Sequence, residues 1–370
     1  MMSDSKRGGR AGGENRKDRK TRPPTKSTEK KASSQGRRRR PLRLAALDLG
    51  TNNCRLLIAS PHRSGFRIVD AFSRIVRLGE GLSQSGVLSE EAMERTIGAL
   101  KVCADKVNRR SVSHMRCIAT QACRGAANGP EFLDAVARET GLKFDIITTE
   151  EEARLAVAGC ADLLDQDAEA GLVFDIGGGS TELSWVRRKN GGAEIAAWTS
   201  LPFGVVSIAE KWGGHEMSEE TYAAVVADVR KSVAQIGDPA GMKEIFARDA
   251  AHLLGTSGTV TSIAGVHLGL ARYRRDRVDG LWLSIRDAKT VTSKLCAMNF
   301  SERAREPCIG EERADLVVSG CAILEALQAE WPATRIRVAD RGLREGVLAD
   351  LALQAKSSRR NWVRGEDLNL

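Results

Sequence analysis

Two short stretches of the chain combine an acidic residue with a tight turn of small residues. The first is LDLGTNNCRL, residues 47–56, and the second is FDIGGGSTEL, residues 174–183. In each, an apolar run reaches an aspartate, Asp48 or Asp175, and a glycine turn follows one residue later. Backbone N–H groups in such a turn can converge on an anion. A carboxylate at the strand end suits a hard cation such as Mg²⁺ that bridges to phosphate oxygens. The two stretches therefore predict phosphate chemistry.

The matched pair is more informative than either turn by itself. For one turn alone, an ordinary hairpin is the simpler interpretation, whereas two such turns favour a ligand site. We expect Asp48 and Asp175 to approach one divalent cation from two domains, and Glu182 offers a third carboxylate beyond the second turn. Three consecutive glycines, residues 177–179, give up much backbone freedom on folding. They predict a backbone that comes very close to another group.

Two further side chains have the chemistry to act on a phosphate. Arg124, in ATQACRGAAN, can hold phosphate through two parallel hydrogen bonds, although a solvated arginine is the simpler interpretation. In TTEEEARL, residues 148–155, Thr149 and Glu152 have the spacing of a capping box, which gives Glu152 a purely structural role. Near a domain junction, Glu152 is alternatively a general base that takes a proton from attacking water.

The elements that must position these residues follow an α/β pattern, because short apolar strands alternate with segments of helical periodicity. Ser89 is a good N-cap for one such helix. Asp48 and Asp175 lie 127 positions apart, about one domain length, so the two turns predict a duplicated unit facing a shared cleft. A third small-residue stretch, LGTSGTVTSI at residues 254–263, is either a capped helix start or another ligand loop.

Composition sets the broad class of the protein. A length of 370 residues predicts about two domains, and no apolar run is long enough to span a bilayer. The eight cysteines are scattered without a CxxC pair, which indicates reduced thiols and a cytoplasmic protein and argues against a disulfide framework or a zinc site. The five histidines are dispersed and predict no metal centre.

The positive charge is concentrated at the N-terminus. Residues 1–40 hold 15 Lys and Arg and 4 Asp and Glu, a net +11, whereas the whole chain is +9, so the rest carries −2. This segment has few large apolar groups and is predicted to be disordered. It is either a solubilising extension or an electrostatic arm for a polyanion such as nucleic acid or polyphosphate.

Taken together, these stretches resemble the exopolyphosphatase / guanosine pentaphosphate phosphohydrolase family, in its short two-domain form. DLGTNN, ATQACR, ITTEEEARL, FDIGGGSTEL, LGTSGT and GLREGV occur in the family's order over about residues 43–352. The resemblance implies an α/β fold with two actin-like (ribonuclease H-like) domains around an interdomain cleft, as in acetate and sugar kinases, chaperones and actin. The expected organisation is a basic tail (1–42), domain I (43–160), domain II (161–354) and a polar tail (355–370).

The resemblance also implies roles for individual residues. The family's catalytic glutamate falls at Glu152, which makes it the expected base, and Arg124 matches an arginine that holds phosphate. Asp48, Asp175 and Glu182 match acids associated with Mg²⁺, for which another hard divalent cation can substitute. The two phosphate loops correspond to Gly50, Thr51, Asn52 and Asn53 and to Gly177, Gly178, Gly179, Ser180 and Thr181.

The implied reaction is Mg²⁺-dependent hydrolysis of the terminal phosphate of inorganic polyphosphate by in-line attack of water, without a phosphoenzyme. Two departures bear on the substrate. Asn53 stands where the family usually has a small hydroxyl residue, which alters the expected fit. Longer members carry extra C-terminal helical domains that the 370 residues do not contain, which puts processivity on long chains in doubt.

Three other functions remain open from the sequence. The nearest is hydrolysis of guanosine pentaphosphate, which the same residues would catalyse. An actin-like ATPase or sugar kinase would need a nucleotide pocket and an acceptor site, and the EEARL stretch argues against it. A non-catalytic polyanion-binding or nucleic-acid-binding protein would rely on the basic tail. The expected partners are the anionic substrate and a polyanion at the tail, with no membrane; a homodimer is expected by analogy only.

Overall fold

The structure, a computed structural model, describes residues 41–364 except residues 64, 190 and 191, with side chains to residue 357. The predicted basic tail therefore lies outside the described residues, apart from its last two positions. The described chain forms two α/β lobes, each built on one sheet.

The first lobe begins with an antiparallel meander and continues with parallel strands. Its strands are β1 (Leu44–Leu49), β2 (Asn53–His62), β3 (Gly65–Ile75), β4 (His114–Ala119) and β5 (Phe144–Ile146). Its helices are α1 (Leu82–Ser85), α2 (Glu90–Arg109), α3 (Gln121–Gly125), α4 (Gly129–Thr140) and α5 (Thr149–Cys160). The predicted N-cap of α2 is confirmed, since the Ser89 hydroxyl accepts a hydrogen bond from the Ala92 N–H.

The second lobe repeats this plan with additional helices. Its strands are β6 (Ala170–Ile176), β7 (Thr181–Lys189), β8 (Gly192–Leu201), β9 (Ala251–Thr256), β10 (Trp282–Ser284) and β11 (Arg335–Val338). Its helices are α6 (Val205–Trp212), α7 (Glu219–Ala234), α8 (Lys243–Ala247), α9 (Ser257–His267), α10 (Arg275–Val278), α11 (Ile285–Ala297), α12 (Phe300–Arg305) and α13 (Val317–Glu330). A last helix, α14 (Leu343–Arg364), completes the described chain.

Strand order shows the duplication directly. The first sheet runs β3-β2-β1-β4-β5, and the second runs β10-β11-β9-β6-β7-β8. In both, the first strand of the lobe pairs antiparallel with the second and parallel with a later strand, as β1 does with β2 and β4, and β6 with β7 and β9. The predicted internal repeat is therefore confirmed. Each predicted acidic turn follows the central strand of its own sheet.

The central strands are buried on both faces, as expected where helices cover a parallel pair. Leu47 and Leu49 of β1 pack against α2 and α4, while Leu44 and Ala46 on the opposite face pack against α14. The second lobe has its own core around Phe174 and Trp185, in which Trp185 and Trp331 meet edge to face at 5.2 Å. Each turn therefore follows a strand that is packed into the buried core of its own lobe.

The last helix lies on the first lobe, although the sequence analysis assigned residues 343–354 to domain II. Val347, Leu348 and Leu351 join the core that contains Leu44 and Ile118. Helix α14 also packs closely against α5, where a methyl group at Gly346 would collide with the Leu155 carbonyl. The helix continues to Arg364, through the start of the predicted polar tail at residue 355. Helical periodicity shows which face is buried but not which sheet receives it.

All eight cysteines are free thiols, which agrees with the expectation of unpaired cysteines, and seven of them are buried. Among the described residues, no helix has both the length and the apolar character needed to cross a membrane.

Candidate active site

The two acidic turns have the same hydrogen-bonded geometry. After β1, the N–H of Gly50 donates to the carbonyl of Asn53 at 2.9 Å, and after β6 the N–H of Gly177 donates to the carbonyl of Ser180, also at 2.9 Å. Each turn thereby returns the chain directly into the next antiparallel strand. The duplication thus extends from strand order to single hydrogen bonds.

The turns also lie against each other. A methyl group at Gly178 would sit 3.0 Å from Cβ of Thr51 and 3.1 Å from the backbone nitrogen of Asn52. One at Gly179 would sit 2.9 Å from Oγ1 of Thr51. The sequence analysis attributed the glycines to close approach of a ligand; in this structure the group that approaches them is the first turn. A side chain at either position would push the lobes apart.

The turns border one cavity of about 540 Å³, a size typical of small-molecule sites. Twelve of the predicted site residues line it: Asp48, Gly50, Thr51, Asn52, Asn53, Glu152, Asp175, Gly177, Gly178, Gly179, Ser180 and Glu182. Thr181 does not, because its side chain is fully buried and its hydroxyl donates to the Phe203 carbonyl at 2.8 Å. Arg124 also lies outside the lining and reaches the site through Glu152.

Asp48 and Asp175 are placed at the ends of the central strands of the two sheets. Burial raises the pKa of Asp48 above its usual range, and the positive charges of Arg55 and Arg344 oppose that rise. Burial raises the pKa of Asp175 to about 7, with the negative charge of Glu182 as the next contribution. Neither carboxylate accepts a hydrogen bond from another described residue. Both are therefore open to a ligand in the cavity.

Glu182 has a different environment. It stands opposite Asp175 in the β6–β7 register and is 4% exposed. Its carboxylate accepts a hydrogen bond from the Ser200 hydroxyl at 2.9 Å. Burial raises the pKa of Glu182, while hydrogen bonds from Ser180 and Ser200 oppose the rise. Glu182 is thus held by its own lobe.

The three acids predicted to bind a metal ion, Asp48, Asp175 and Glu182, do not form a single three-carboxylate site. Among residues 41–364 as described, no three His, Cys, Asp or Glu side chains lie close enough to share a metal ion. Mg²⁺ commonly uses only one or two carboxylates together with phosphate oxygens and waters. Asp48 and Asp175 supply two such carboxylates, and Asn52, which lines the same cavity, has a buried Oδ1 without a hydrogen-bond partner. The donor set fits a magnesium ion held partly by the substrate.

Glu152 is not the helix cap that its spacing from Thr149 allowed. The N-cap of α5 is Thr148, whose hydroxyl accepts from the Glu151 N–H at 3.1 Å. Glu152 therefore lies one residue beyond the capping-box position. Its carboxylate instead receives a hydrogen bond from Nη1 of Arg124 at 3.1 Å, and its side chain is 12% exposed.

Arg124 is itself fixed by two other acceptors. Its guanidinium donates to the carbonyl of Ile147 at 2.7 Å and to Oε1 of Gln121 at 2.9 Å. Burial, followed by the negative charge of Glu182, raises the pKa of Glu152 well above the usual glutamate range, and Arg124 opposes this. A buried, oriented carboxylate with a raised pKa is suited to proton transfer near neutral pH.

Sequence reasoning missed three arginines that line the cavity, whereas it did name the stretch that contains Ser257 as a possible ligand loop. Arg55, Arg313 and Arg344 face it without an ion pair to any described carboxylate. Ser257, within the predicted third loop, has a left-handed φ of 88° and a buried hydroxyl without a hydrogen-bond partner. The signals were present, since Arg55 follows the first turn and Ser257 lies in LGTSGT. No hydroxyl caps α9, and Thr256 donates to the Arg341 carbonyl instead.

Comparison with known proteins places this site in a family. The sequence profile of the Ppx/GppA phosphatase family matches residues 57–355. The chain belongs to the Ppx/GppA phosphatase family. The match includes Arg124, Glu152 and the second turn, and begins after the first turn. Family membership indicates a hydrolase that acts on phosphates.

Solved structures of Ppx/GppA proteins have the same fold. A family member from Aquifex aeolicus is 28% identical, with a TM-score of 0.70 over 85% of this chain and 98% of its own. An exopolyphosphatase from Cytophaga hutchinsonii is 26% identical, with a TM-score of 0.75 over 84% of this chain and 97% of its own. The predicted fold class, two actin-like α/β domains around a cleft, is confirmed.

A curated relative shows the same domain in a larger protein. The bifunctional 3-dehydroquinate synthase/phosphatase of Fusobacterium nucleatum is 29% identical over 296 residues. The match takes in 76% of this chain and 42% of that protein, so the chain spans about two fifths of that relative's length.

Proposed function

We propose that this protein is an exopolyphosphatase that hydrolyses the terminal phosphate of inorganic polyphosphate. The observation that carries the proposal is the position of Glu152, held by Arg124 on the wall of a cavity that both glycine turns line. Such an arrangement provides a base for water and backbone N–H groups for phosphate oxygens within one site.

The unpaired arginines support a chain of phosphates as substrate. Arg55, Arg313 and Arg344 line the cavity, and none is neutralised by a described carboxylate within ion-pair distance. Buried or half-buried cations normally have anionic partners. Three such cations suit a ligand with several negative charges better than a single phosphate ion.

The proposed reaction is a single displacement. Water attacks the terminal phosphorus, its proton passes to Glu152, and the bond to the bridging oxygen breaks as the new P–O bond forms. The products are inorganic phosphate and a polyphosphate one unit shorter. Arg124 orients Glu152, and Ser200 holds Glu182 beside it. No covalent enzyme intermediate is required, because the nucleophile is water.

A divalent cation belongs to this proposal. Mg²⁺ bound by Asp48 and Asp175 would supply positive charge at the phosphate oxygens. The open carboxylates and the unpartnered Oδ1 of Asn52 support this assignment.

Guanosine pentaphosphate is the second candidate substrate. The cavity of about 540 Å³ exceeds the needs of a phosphate group, and the aromatic residue Tyr273 is among those that line it. An aromatic wall and this volume are features that suit a nucleoside. The same terminal-phosphate chemistry would apply.

The test is phosphate release by the full chain with Mg²⁺, measured side by side on long polyphosphate, short polyphosphate and guanosine pentaphosphate. Glu152→Gln is expected to lower kcat by roughly 10²–10⁴-fold, as for loss of a general base. The matched control is Glu151→Gln, the adjacent residue, whose carboxylate pairs with Arg116 at 2.8 Å outside the cavity. The control is expected to retain activity.

The outcomes separate the candidates. Faster phosphate release from polyphosphate than from guanosine pentaphosphate supports the exopolyphosphatase proposal. Faster phosphate release from guanosine pentaphosphate supports the second candidate. Equal activity of both variants and wild type would remove Glu152 from the mechanism. Wild-type protein that releases phosphate from none of the three substrates would overturn the proposal and favour a binding function.

A further inference from the structure

Residues 76–83, here called the bridging segment, are bound to the first glycine turn. The N–H groups of Val76 and Arg77 both donate to the Asn52 carbonyl, at 2.9 and 3.1 Å. The N–H of Gly79 donates to the Thr51 carbonyl at 2.9 Å, and a methyl group at Gly79 would collide with Cγ2 of Thr51. Movement of the bridging segment therefore moves the first turn.

The same segment is bound to the second lobe through Glu210 of α6. One carboxylate oxygen of Glu210 accepts from the Gly81 N–H at 2.7 Å, and the other accepts from the Ser83 hydroxyl at 2.5 Å. Hydrogen bonds to a charged acceptor are stronger than those between neutral groups. Both carboxylate oxygens of Glu210, a residue of the second lobe, therefore accept hydrogen bonds from the first lobe.

Helix α6 is in turn bound to the second glycine turn. The N–H groups of Val205 and Val206, at its start, donate to the carbonyls of Gly177 and Gly178, at 3.0 and 2.8 Å. Gly204 packs so closely that a methyl group there would collide with the Gly177 carbonyl. A continuous hydrogen-bonded chain therefore runs from one glycine turn to the other through Glu210.

A second connection runs parallel to the first. Arg77 donates two hydrogen bonds to Asp315 of the second lobe, at 2.9 and 3.1 Å, in a bidentate pair. The backbone around Asp315 is fixed by the buried Arg303, whose Nε donates to the Ala314 carbonyl at 2.9 Å. The side chain of Asp315 is 11% exposed, so this pair is more shielded than an ordinary surface ion pair.

We propose that Glu210 and Arg77 are positioning residues that set the separation of the two glycine turns, and thereby the affinity for the terminal phosphate. Neither side chain lines the cavity, so each acts through the turns. The predicted effect on phosphate affinity rests on the proposed function. The physical connection between the two glycine turns rests only on the hydrogen bonds and contacts described above.

The test uses Glu210→Ala, Glu210→Gln and Arg77→Ala, with Lys211→Ala as the control. Lys211 is the next residue on α6, and it pairs with Asp228 at 2.8 Å on the exposed side. Amide hydrogen exchange is measured for peptides that contain residues 49–54 and 177–181. Glu210→Ala and Arg77→Ala are expected to raise exchange in both peptides by about tenfold, because the turns separate more often. Glu210→Gln keeps one acceptor and is expected to fall between Glu210→Ala and wild type.

Kinetics with tripolyphosphate provide the second readout. Glu210→Ala is expected to raise KM by about tenfold with a smaller change in kcat, since substrate positioning is lost while Glu152 is untouched. Lys211→Ala is expected to match wild type in exchange and KM. The proposal would be overturned if the faster amide exchange in Glu210→Ala were confined to residues 76–83. It would also be overturned if Glu210→Ala were active with the KM of the wild type. If the wild type releases no phosphate, the proposed function fails while the exchange data still decide the connection between the turns.

Discussion

Nη1 of Arg124 lies 3.1 Å from Oε2 of Glu152, and the two residues come from different helices, α3 and α5. Neither residue is near the other in sequence, yet the Ile147 carbonyl just before α5 also accepts from Arg124. The guanidinium thereby fixes the start of α5 and the carboxylate of Glu152 together. The orientation of the proposed base depends on this one side chain.

Arg124→Ala is expected to lower kcat by roughly 10²-fold or more, because the carboxylate of Glu152 loses its orienting donor. Arg124→Lys restores the charge but not the fork of hydrogen bonds, so recovery is expected to be incomplete. Steady-state phosphate release from polyphosphate measures both variants. Arg116→Ala is the control, since Arg116 pairs with the neighbouring Glu151. A full rate in Arg124→Ala would show that Glu152 needs no partner.

Asp175→Asn is expected to stabilise the metal-free protein above neutral pH. The pKa of Asp175 is raised to about 7 in the folded state, so ionising it there costs free energy that the unfolded chain does not pay. This penalty is complete above about pH 7, shrinks as the pH falls and vanishes below the ordinary value of 3.8. Urea unfolding in EDTA at pH 8 and pH 5 should show the larger gain at pH 8.

Titration with Mg²⁺ tests whether Asp175 binds the metal ion. Wild-type protein is expected to gain thermal stability on titration with Mg²⁺, because the ion binds the native state, and Asp175→Asn is expected to gain much less. Asp228→Asn, on the exposed pair with Lys211, is the control and should respond as wild type does. Equal responses of wild type and Asp175→Asn would remove Asp175 from the proposed magnesium site.

Gly178→Ala is expected to lower kcat/KM by about 10- to 100-fold with little loss of stability. The added methyl group would stand 3.0 Å from Cβ of Thr51, so the two turns must separate by a few tenths of an ångström. Gly98→Ala is the control, because Gly98 lies on the exposed face of α2 with open space around it. That variant should keep full activity and gain up to about 1 kcal/mol of stability.

Asp70→Asn is expected to destabilise the protein by about 1–3 kcal/mol at pH 7. The Asp70 carboxylate accepts hydrogen bonds from Lys106 of α2 at 2.9 Å and from Arg110, the C-cap of α2, at 2.8 Å; these bonds join β3 to the end of the helix and lower the pKa of Asp70. The contribution is complete above the ordinary pKa of 3.8 and is lost as the pH falls through the lowered folded value. Urea unfolding from pH 7 to pH 3 should show the difference from wild type shrinking in acid.

Asp105→Asn is the matched control for that measurement. Asp105 is on α2, the helix that Asp70 contacts through Lys106, and its side chain is 69% exposed and 3.7 Å from Arg109. Because exposed ion pairs contribute little, this variant should stay within about 0.5 kcal/mol of wild type. A loss as large as that of Asp70→Asn would show that the helix tolerates no change of charge.

The sequence was sufficient to predict the two turns because their signal is local. An apolar run, an aspartate and a glycine turn must form a strand followed by a sharp return, wherever the chain places it. Repetition of the pattern also predicted the duplicated sheets and the shared cleft. The alternation of helices and strands was similarly local, as the N-cap at Ser89 illustrates.

Other features depend on contacts between distant parts of the chain. Arg77 and Asp315 are 238 residues apart, and their pairing leaves no periodic pattern in the sequence. The capping position of α5 was ambiguous because Thr148 and Thr149 are adjacent, and in the structure the cap is Thr148. Because the cap is one residue earlier than Thr149, Glu152 lies outside the capping box, and its carboxylate pairs with Arg124 instead. Arg344 lies in the GLREGV stretch, but neither that stretch nor the sequence around Arg313 shows that the charge lines a cavity, since a charged residue near a helix start usually faces solvent.

Helix α14 also determines the order in which the protein can fold during synthesis. The core of the first lobe is closed on one face by Val347, Leu348 and Leu351, which the ribosome makes roughly 300 residues after Leu44 and Ala46. Until α14 emerges, Leu155 of α5 is the only helical residue described in the core on that face of β1, whereas the second lobe can already bury its own core. Domains usually fold from the N-terminus during translation. Here the lobe made first is completed last.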